Sequence, residues 1–583
     1  MRVGLLVILV IFSAVWAASA QPPGPPPGPG KLLIRPGGKG AVDPRDDGPP
    51  EKAGFIIIRP NGKTASNPTI NSPRQPSLVA GRPSAGSTLN VPPPGPPSKE
   101  GLFDYWFAVA VDGQRIGHVN WSAKELQQKD RSFVRGVRYL NLTVARFGQV
   151  VAQWSEESTV ESPEGVVYLT SMRQGIGKDQ ALALTGEVEG KTLKVTGGGA
   201  AAGAGNTPWP AGVVGVAREP QLFKEIRNSG GQSLEYPSYI PTMNRVVKTT
   251  LTFEGEEMRA LWDKSPPRKL LRFNTKPEPI GKVKLPSSRT WVDAETFEPL
   301  QMETDFPALG GRLTFLRTTR DAATIPVTRP VEVFKTQSIE LNRKIEAIHG
   351  RGSVVYRVSV TRDDEPESLF ADESRQRVKS LDGKPGTFEL HVLAKRGPFK
   401  DAAPEPAPGK EFTESNYFIN WDNELVKGHA ARATADLPAN AGNWDKAVAV
   451  ERWVKANMKS FEFSQAMATA DNVAKTLSGD CTEYAMLAAA MCRALGVPTR
   501  TALGLVYAET GGKQYLAYHM WFEVYAEGQW IPLDGTLGMG GIGPGHVKIS
   551  DHSWHEEKSF APLLPVLRLL NARPTVEVLK VGP

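Results

Sequence analysis

The sequence predicts a multidomain protein in which a β-rich region, folded as a sandwich or a curved sheet, precedes an α+β unit. Three observations predict it. The chain has 583 residues, several times the ~100 to 200 of an ordinary domain. From Gly101 onward, short runs of alternating apolar residues are divided by turn residues, the pattern of half-buried strands. Beyond Glu411 the apolar spacing changes to three and four, which is helical, before strands return near the end.

The first twenty residues combine Arg2, an apolar run from Val3 to Ala18 and the small residues Ala18-Ser19-Ala20 ahead of Gln21. That is the form of a secretory signal peptide, so the mature protein is expected to be secreted or periplasmic. No other run reaches the ~20 apolar residues of a membrane span, so no transmembrane segment is expected after signal removal. Residues 21–99 are dense in Pro, Gly, Ser and Asn and are expected to be a disordered tether. Within it Leu33-Ile34-Arg35-Pro36-Gly37-Gly38-Lys39 is echoed by Ile57-Ile58-Arg59-Pro60-Asn61-Gly62-Lys63. Such a repeat either docks on a sheet edge by strand addition or is a duplication within low-complexity sequence.

Residues 100–330 form the β-rich domain. Asp104 to Val111 and Ile116 to Trp121 flank Asp112-Gly113, a hairpin signal, and Ala183 to Val195 turns at Glu189-Gly190. Arg138 to Val144, Val166 to Met172 and Thr290 to Met302 continue the pattern. The run from Gly197 to Gly205 lacks the lysine and the following Ser/Thr of a phosphate-binding loop and is expected to be a flexible excursion. Residues 331–400 make a second β-rich block, and the Pro-rich stretch Ala402 to Pro408 links it to a C-terminal unit, 411–583. That unit opens with helical runs at 422–434 and 443–458, the second capped by Asn443.

The chemistry concentrates from Ser478 to Thr536. Asp480 is a good N-cap and Glu483 completes a capping box, which puts Cys481 in the first turn of a helix ending at Gly496. Unpaired N–H groups and the partial positive charge at that end favour a thiolate. Tyr518 to Tyr525 alternates as a strand carrying His519, and Glu527-Gly528 turns it into Ile531 to Thr536, which carries Asp534. Antiparallel neighbours of this kind can bring an imidazole and a carboxylate together. Thiolate, imidazole and carboxylate are the groups of nucleophilic catalysis. The other cysteine, Cys492, lies about 16 Å along the same helix at 1.5 Å per residue, too far for a disulfide, and is expected to fill the core.

Gly479, Cys481, Glu483 and Ala485, then Arg493 to Arg500, then His519, Trp521, Glu523 and Val524, then Trp530, Pro532, Asp534 and Thr536 resemble the transglutaminase-like superfamily in order and spacing. The resemblance implies a papain-like fold with Cys481 as nucleophile, His519 as acid and base, and Asp534 as the group that orients the ring. Gly535 stands where the family often has proline.

The implied activity is that of an exported cysteine acyltransferase or hydrolase acting on carboxamide or peptide bonds through a thioester. An amine acceptor makes it a transglutaminase; water makes it a protease or amidase. A binding protein whose papain-like unit is only a scaffold is the alternative outside enzymes. The oxyanion hole would include the Cys481 N–H, with Gln465 or Trp444 as second donor. Trp521 and Trp530 either wall the cleft or belong to the core. No cofactor is expected. His546, His552 and His555, with Asp551, Glu556 and Glu557, match no closed zinc site and are expected to form a surface cluster rather than a metal centre. Expected partners are a protein or peptide substrate and, given a net charge of +7, anionic cell-envelope polymers. The basic residues are dispersed without a recognition motif, so nucleic acid is not expected.

Overall fold

Strand β1, Phe103–Val111, shows how the N-terminal region is made: its apolar residues turn from half-buried to fully buried along its length, and Asp112-Gly113 then reverses the chain. Both turn residues have positive φ (44° and 83°), and Val111 is paired with Gln114 across the turn, the geometry of a primed two-residue hairpin. The structure, a computed structural model, describes residues 89–95, 101–128, 131–146, 149–176, 179–197, 205–400, 403–459, 468–555 and 561–583. The signal-like segment, the repeats, residues 198–204, Gln465, Glu556 and Glu557 lie outside the described residues, as does the tether apart from 89–95. In that short piece Val91 is buried against Ala108, Trp262, Leu270 and Trp291, and the Pro92 carbonyl accepts the Thr318 hydroxyl at 2.7 Å.

The next strands are β2 (Gln114–Gln128), β3 (Arg131–Arg146), β4 (Gln149–Glu161), β5 (Val167–Ile176), β6 (Asp179–Glu189), β7 (Thr192–Gly197), β8 (Gly205–Pro208), β9 (Ser233–Ile240), β10 (Arg245–Arg259), β11 (Arg268–Pro277), β12 (Ser288–Asp293), β13 (Pro299–Phe306) and β14 (Gly311–Thr318). They form one antiparallel sheet in the order β8-β7-β6-β5-β4-β3-β2-β1-β14-β13-β12-β11-β10-β9, with β15 (Val331–Glu332) added parallel to β3. Of the two architectures the sequence allowed, this is the curved sheet. It curls until its margins meet: the Thr207 hydroxyl of β8 donates to the Asn244 carbonyl beside β10 at 3.1 Å, and Trp209 meets Tyr239 edge-on at 5.4 Å.

Helix α1, Gln221–Asn228, buries Leu222, Phe223 and Ile226, spaced to share one face. That face joins Trp121, Leu140, Phe273 and Phe315 in the core, with the Phe223 and Phe273 rings 4.9 Å apart. Arg138 is fully buried in the same sheet, its guanidinium 4.7 Å above Trp121 and paired with Glu219 and Glu157. Two carboxylates and a ring face are what such a buried cation needs.

After the short helix α2 (Arg320–Thr324), β16 (Ser338–Glu340) leaves this sheet and pairs with a strand of the C-terminal region. Strands β17 (Ser353–Ser359), β18 (Gln376–Ser380) and β19 (Thr387–Leu393) make a four-stranded sheet completed by the far C-terminal β24 (Thr575–Val581). The C-terminal region itself contains α3 (Glu424–Ala433), α4 (Asn443–Asn457), α5 (Ala470–Thr476) and α6 (Cys481–Ala494), then β20 (Thr499–Thr510), β21 (Lys513–Ala526), β22 (Gln529–Leu533), β23 (His546–His552) and α7 (Leu564–Ala572). Its sheet runs β16-β21-β20-β23, with β22 on β21, and α6 packs on it through a largely apolar core. Among the described residues no helix is long and apolar enough to cross a membrane.

The start of α4 differs from expectation. Gly442 is the N-cap and Asn443 already lies inside the helix, because its side chain is engaged elsewhere, donating to the Tyr525 carbonyl at 3.2 Å.

Candidate active site

The first turn of α6 is built as its sequence specifies. The Asp480 carboxylate accepts the Thr482 N–H at 2.9 Å, and Glu483 reaches back to the Asp480 N–H at 2.9 Å, closing the capping box. Gly479 is required here. Its φ is 146°, and a Cβ would lie 2.4 Å from the Cβ of Glu483. Cys481 is thereby fixed at the helix start, fully buried.

Its electrostatics depart from the expected thiolate. Burial pushes the Cys481 thiol well up, and the carboxylates of Asp480, Glu483 and Asp534 add to it. A hydrogen bond from the backbone N–H of Met520 pulls the other way. The helix start supplies partial positive charge, which works against burial and these carboxylates. Cys492 is also buried, and burial raises its thiol too.

The Met520 contact brings the sulfur to the residue that follows His519 on β21. The Glu527-Gly528 turn has positive φ at both residues (51° and 76°) and sets β22 against β21 with Leu533 opposite Phe522. Asp534, one residue past that pair, lies beside His519: Nε2 to Oδ2 is 2.8 Å, with both side chains buried. The other carboxylate oxygen, Oδ1, accepts from the Thr536 N–H at 2.8 Å and its hydroxyl at 2.6 Å. Burial works to raise the Asp534 carboxyl, but the His519 and His546 imidazoles overcome it and hold the group well below the usual carboxylate range.

Two side chains of this centre were not assigned to it from the sequence. Glu451, on α4 and wholly buried, accepts the Asp534 N–H at 3.0 Å and the Gly540 N–H at 2.7 Å. It ties together both ends of the loop that follows the carboxylate. His546, expected in a surface cluster, is instead fully buried at the start of β23 and lies 3.0 Å from Asp534 Oδ2 through its Nε2. The correction has a simple cause: β23 pairs with β20, Val506 opposite His546, which carries the ring under the sheet, while His552 and His555 stay nearer solvent.

His519, Asp534 and His546 place donor atoms within 4.8 Å of one another. Both imidazoles converge on one carboxylate oxygen at hydrogen-bonding distance, so the set is a hydrogen-bonded string. Glu373, Glu523 and Asp551 form a second such group, and the Lys548 ammonium fills its centre at 2.8, 2.7 and 2.9 Å. Burial would raise Glu523, but Lys548 and Arg500 hold it down to about 2.

Trp521 is core, packed with Ala502 and Ile542. Trp530 is nearly buried, under the Arg500 guanidinium at 4.2 Å and against Tyr525. Trp444, one of the two proposed oxyanion donors, is half-buried against the core. Gly535, where the family often has proline, stands in a tight place: a Cβ there would lie 3.0 Å from Val454 Cγ1 on α4 and 3.8 Å from Tyr484 on α6.

No curated protein matches the chain. Among solved structures, a candidate cysteine protease from Cytophaga hutchinsonii is 15% identical, covering 39% of this chain and 83% of its own, with a TM-score of 0.24. The periplasmic domain of TgpA from Pseudomonas aeruginosa is 14% identical, covering 35% and 83%, with a TM-score of 0.21. A β-barrel-like protein of a domain family of unknown function from Brucella abortus is 8% identical, covering 37% and 95%, with a TM-score of 0.30. The assignment rests on a different comparison: residues 428–535, the span that holds Cys481, His519 and Asp534, match the family model of the transglutaminase-like superfamily. The C-terminal region of this chain thus contains a transglutaminase-like domain, matched over residues 428–535.

Proposed function

We propose that the chain is a cysteine acyltransferase or hydrolase in which Cys481 attacks a carboxamide or peptide carbonyl. The observation that supports it most is the buried His519–Asp534 pair at 2.8 Å, joined to Cys481 through the N–H of the very next residue, Met520. His519 presents Nε2 to Asp534, so Nδ1 is the ring atom that exchanges protons with the thiol. The Cys481 proton passes to Nδ1 as Sγ bonds to the carbonyl carbon, and charge collects on the carbonyl oxygen beside the Cys481 N–H at the helix start. The carbon–nitrogen bond then breaks, with the ring's proton leaving on ammonia or an amine. An acceptor restores the thiol after His519 takes its proton: an amine gives a transglutaminase, water a protease or amidase. In this reading His519 acts as a general base at the moment of attack.

Iodoacetamide labelling followed by mass spectrometry tests this. Cys481 should label ahead of Cys492, and His519→Ala should remove the preference; equal, slow labelling of both sulfurs refutes it. Ammonia release and amine incorporation on a glutamine-rich protein then separate the two acceptors. Full burial of Cys481 favours the second reading, a binding protein with an idle thiol. That reading stands if the protein's biological activity survives Cys481→Ser unchanged. Export is part of the proposal, and N-terminal sequencing of the mature protein should begin near Gln21.

A further inference from the structure

The carboxylate that serves His519 serves a second imidazole as well. His546 Nε2 lies 3.0 Å from Asp534 Oδ2, the same atom that His519 Nε2 meets at 2.8 Å, and the ring centroids are 5.7 Å apart. An ionised carboxylate oxygen only accepts, so each ring must present an N–H to it. His546 thus carries its proton on Nε2. Its Nδ1 is buried without a hydrogen-bond partner, and the side chain's polar capacity is spent on Asp534. Burial keeps the ring neutral, taking its pKa down to about 3. Meanwhile Thr536 occupies Oδ1, so His519 and His546 divide what remains.

We propose that His546 is a positioning residue of this centre: its Nε2–H aims Asp534 Oδ2 at His519 and takes up part of that oxygen's charge, which limits how basic the His519 ring becomes. This rests on the thiol–imidazole reading above. A base too weak leaves the thiol protonated; a base too strong stays protonated and cannot accept. A carboxylate shared between two donors lies between these extremes. The alternative, that His546 merely fills the core beneath the sheet, accounts for its burial but not for its aim at an oxygen already engaged.

The charged and titratable groups around the pair are few. His519 faces Asp534 and His546, with His349 further off. His546 faces Asp534, His519 and, on the loop before β17, His349 at 5.8 Å between rings. The Arg375 guanidinium binds the His546 carbonyl at 2.9 Å, and Arg396 holds the His349 carbonyl. Lys548, two residues on, is committed to Glu373, Glu523 and Asp551.

The test is the pH dependence of Cys481 alkylation by iodoacetamide, read by mass spectrometry on the full chain, with Cys492 as internal reference. On the thiol–imidazole reading, the acid-side midpoint reports proton uptake by the ring, and the plateau reports the fraction of thiol proton passed to it. His546→Ala leaves Asp534 Oδ2 to His519 alone, so the midpoint should rise by about 0.5–1 pH unit and the plateau by about 3–10-fold. His546→Gln, whose amide can reach the same oxygen, should stay close to the unmutated protein. His546→Asn, too short to reach, takes the alanine variant's place if that variant fails to fold. A midpoint that does not move in His546→Ala or →Asn, or a glutamine variant that behaves like them, overturns the role of His546 while selective labelling of Cys481 still upholds the enzyme. Loss of that selectivity in the unmutated protein overturns both.

Discussion

Glu451 offers a prediction whose size follows from its surroundings. It is wholly buried and offered two backbone N–H groups, from Asp534 and Gly540. Burial nevertheless prevails, and its carboxyl rises from 4.5 to about 7. A carboxyl that binds its proton more tightly folded than unfolded stabilises the fold most below pH 4.5, and the contribution is lost as pH climbs through 7. At about 1.36 kcal/mol per pH unit, that rise amounts to about 3 kcal/mol. Glu451→Gln keeps the shape and one acceptor but does not titrate. The variant should be less stable than the unmutated protein in acid, where one N–H loses its acceptor, and the difference should shrink by about 3 kcal/mol between pH 4.5 and pH 8. Urea unfolding followed by tryptophan fluorescence measures it. With a slope of ~3 kcal/mol per molar, the change is a relative midpoint displacement of about 1 M. Taking the difference between the two proteins cancels every other titrating group. A gap of constant size across that range, or one that widens with pH, refutes the reasoning.

Three further predictions follow from other contacts. Asp480→Asn keeps an N-cap of equal quality but removes a charge that raises the Cys481 thiol, so alkylation at pH 7.5 should quicken several-fold while thermal stability changes little; an equal or slower rate counts against the assignment. Lys548→Met strips the buried cation from Glu373, Glu523 and Asp551 and should cost ~3–5 kcal/mol in urea unfolding, whereas Lys282→Met, in an exposed pair with Glu365, should leave the unfolding midpoint almost unchanged. Gly535→Ala puts a methyl 3.0 Å from Val454 Cγ1 and should lose ~1–3 kcal/mol; the double change Gly535→Ala/Val454→Ala should recover part of that loss by calorimetry.

What could be read in advance is what short stretches of chain decide. Asp112-Gly113 and Glu527-Gly528 announce their hairpins because few residues accept two consecutive positive φ angles. Asp480 and Glu483 announce the helix start because a capping box spans only four positions. His519 and Asp534 follow from the second hairpin and from family spacing. The missing parts depend on distant pairings. His546 sits in a stretch rich in histidine and glycine that reads as surface, and only the pairing of β23 with β20 buries it. Glu451 is one of several charges on a helix of mixed pattern, and its inward aim appears only once α4 lies against the Asp534 loop. The surroundings of Cys481 were hidden for a related reason: the helix start is visible in sequence, whereas burial of the sulfur and the nearby carboxylates that raise its thiol are not.

The margins of the large sheet carry a consequence for how the protein behaves in company. One border, Gly205–Pro208, is four residues long and ends in a residue without an amide hydrogen. The other, Ser233–Ile240, has Pro237 in its middle, and that residue's carbonyl already accepts the Val214 N–H. A stranger's extended chain seeking to lengthen the sheet finds few open rungs at either side, so this large β-structure should resist self-association at concentrations where a flat, open sheet would grow into fibres.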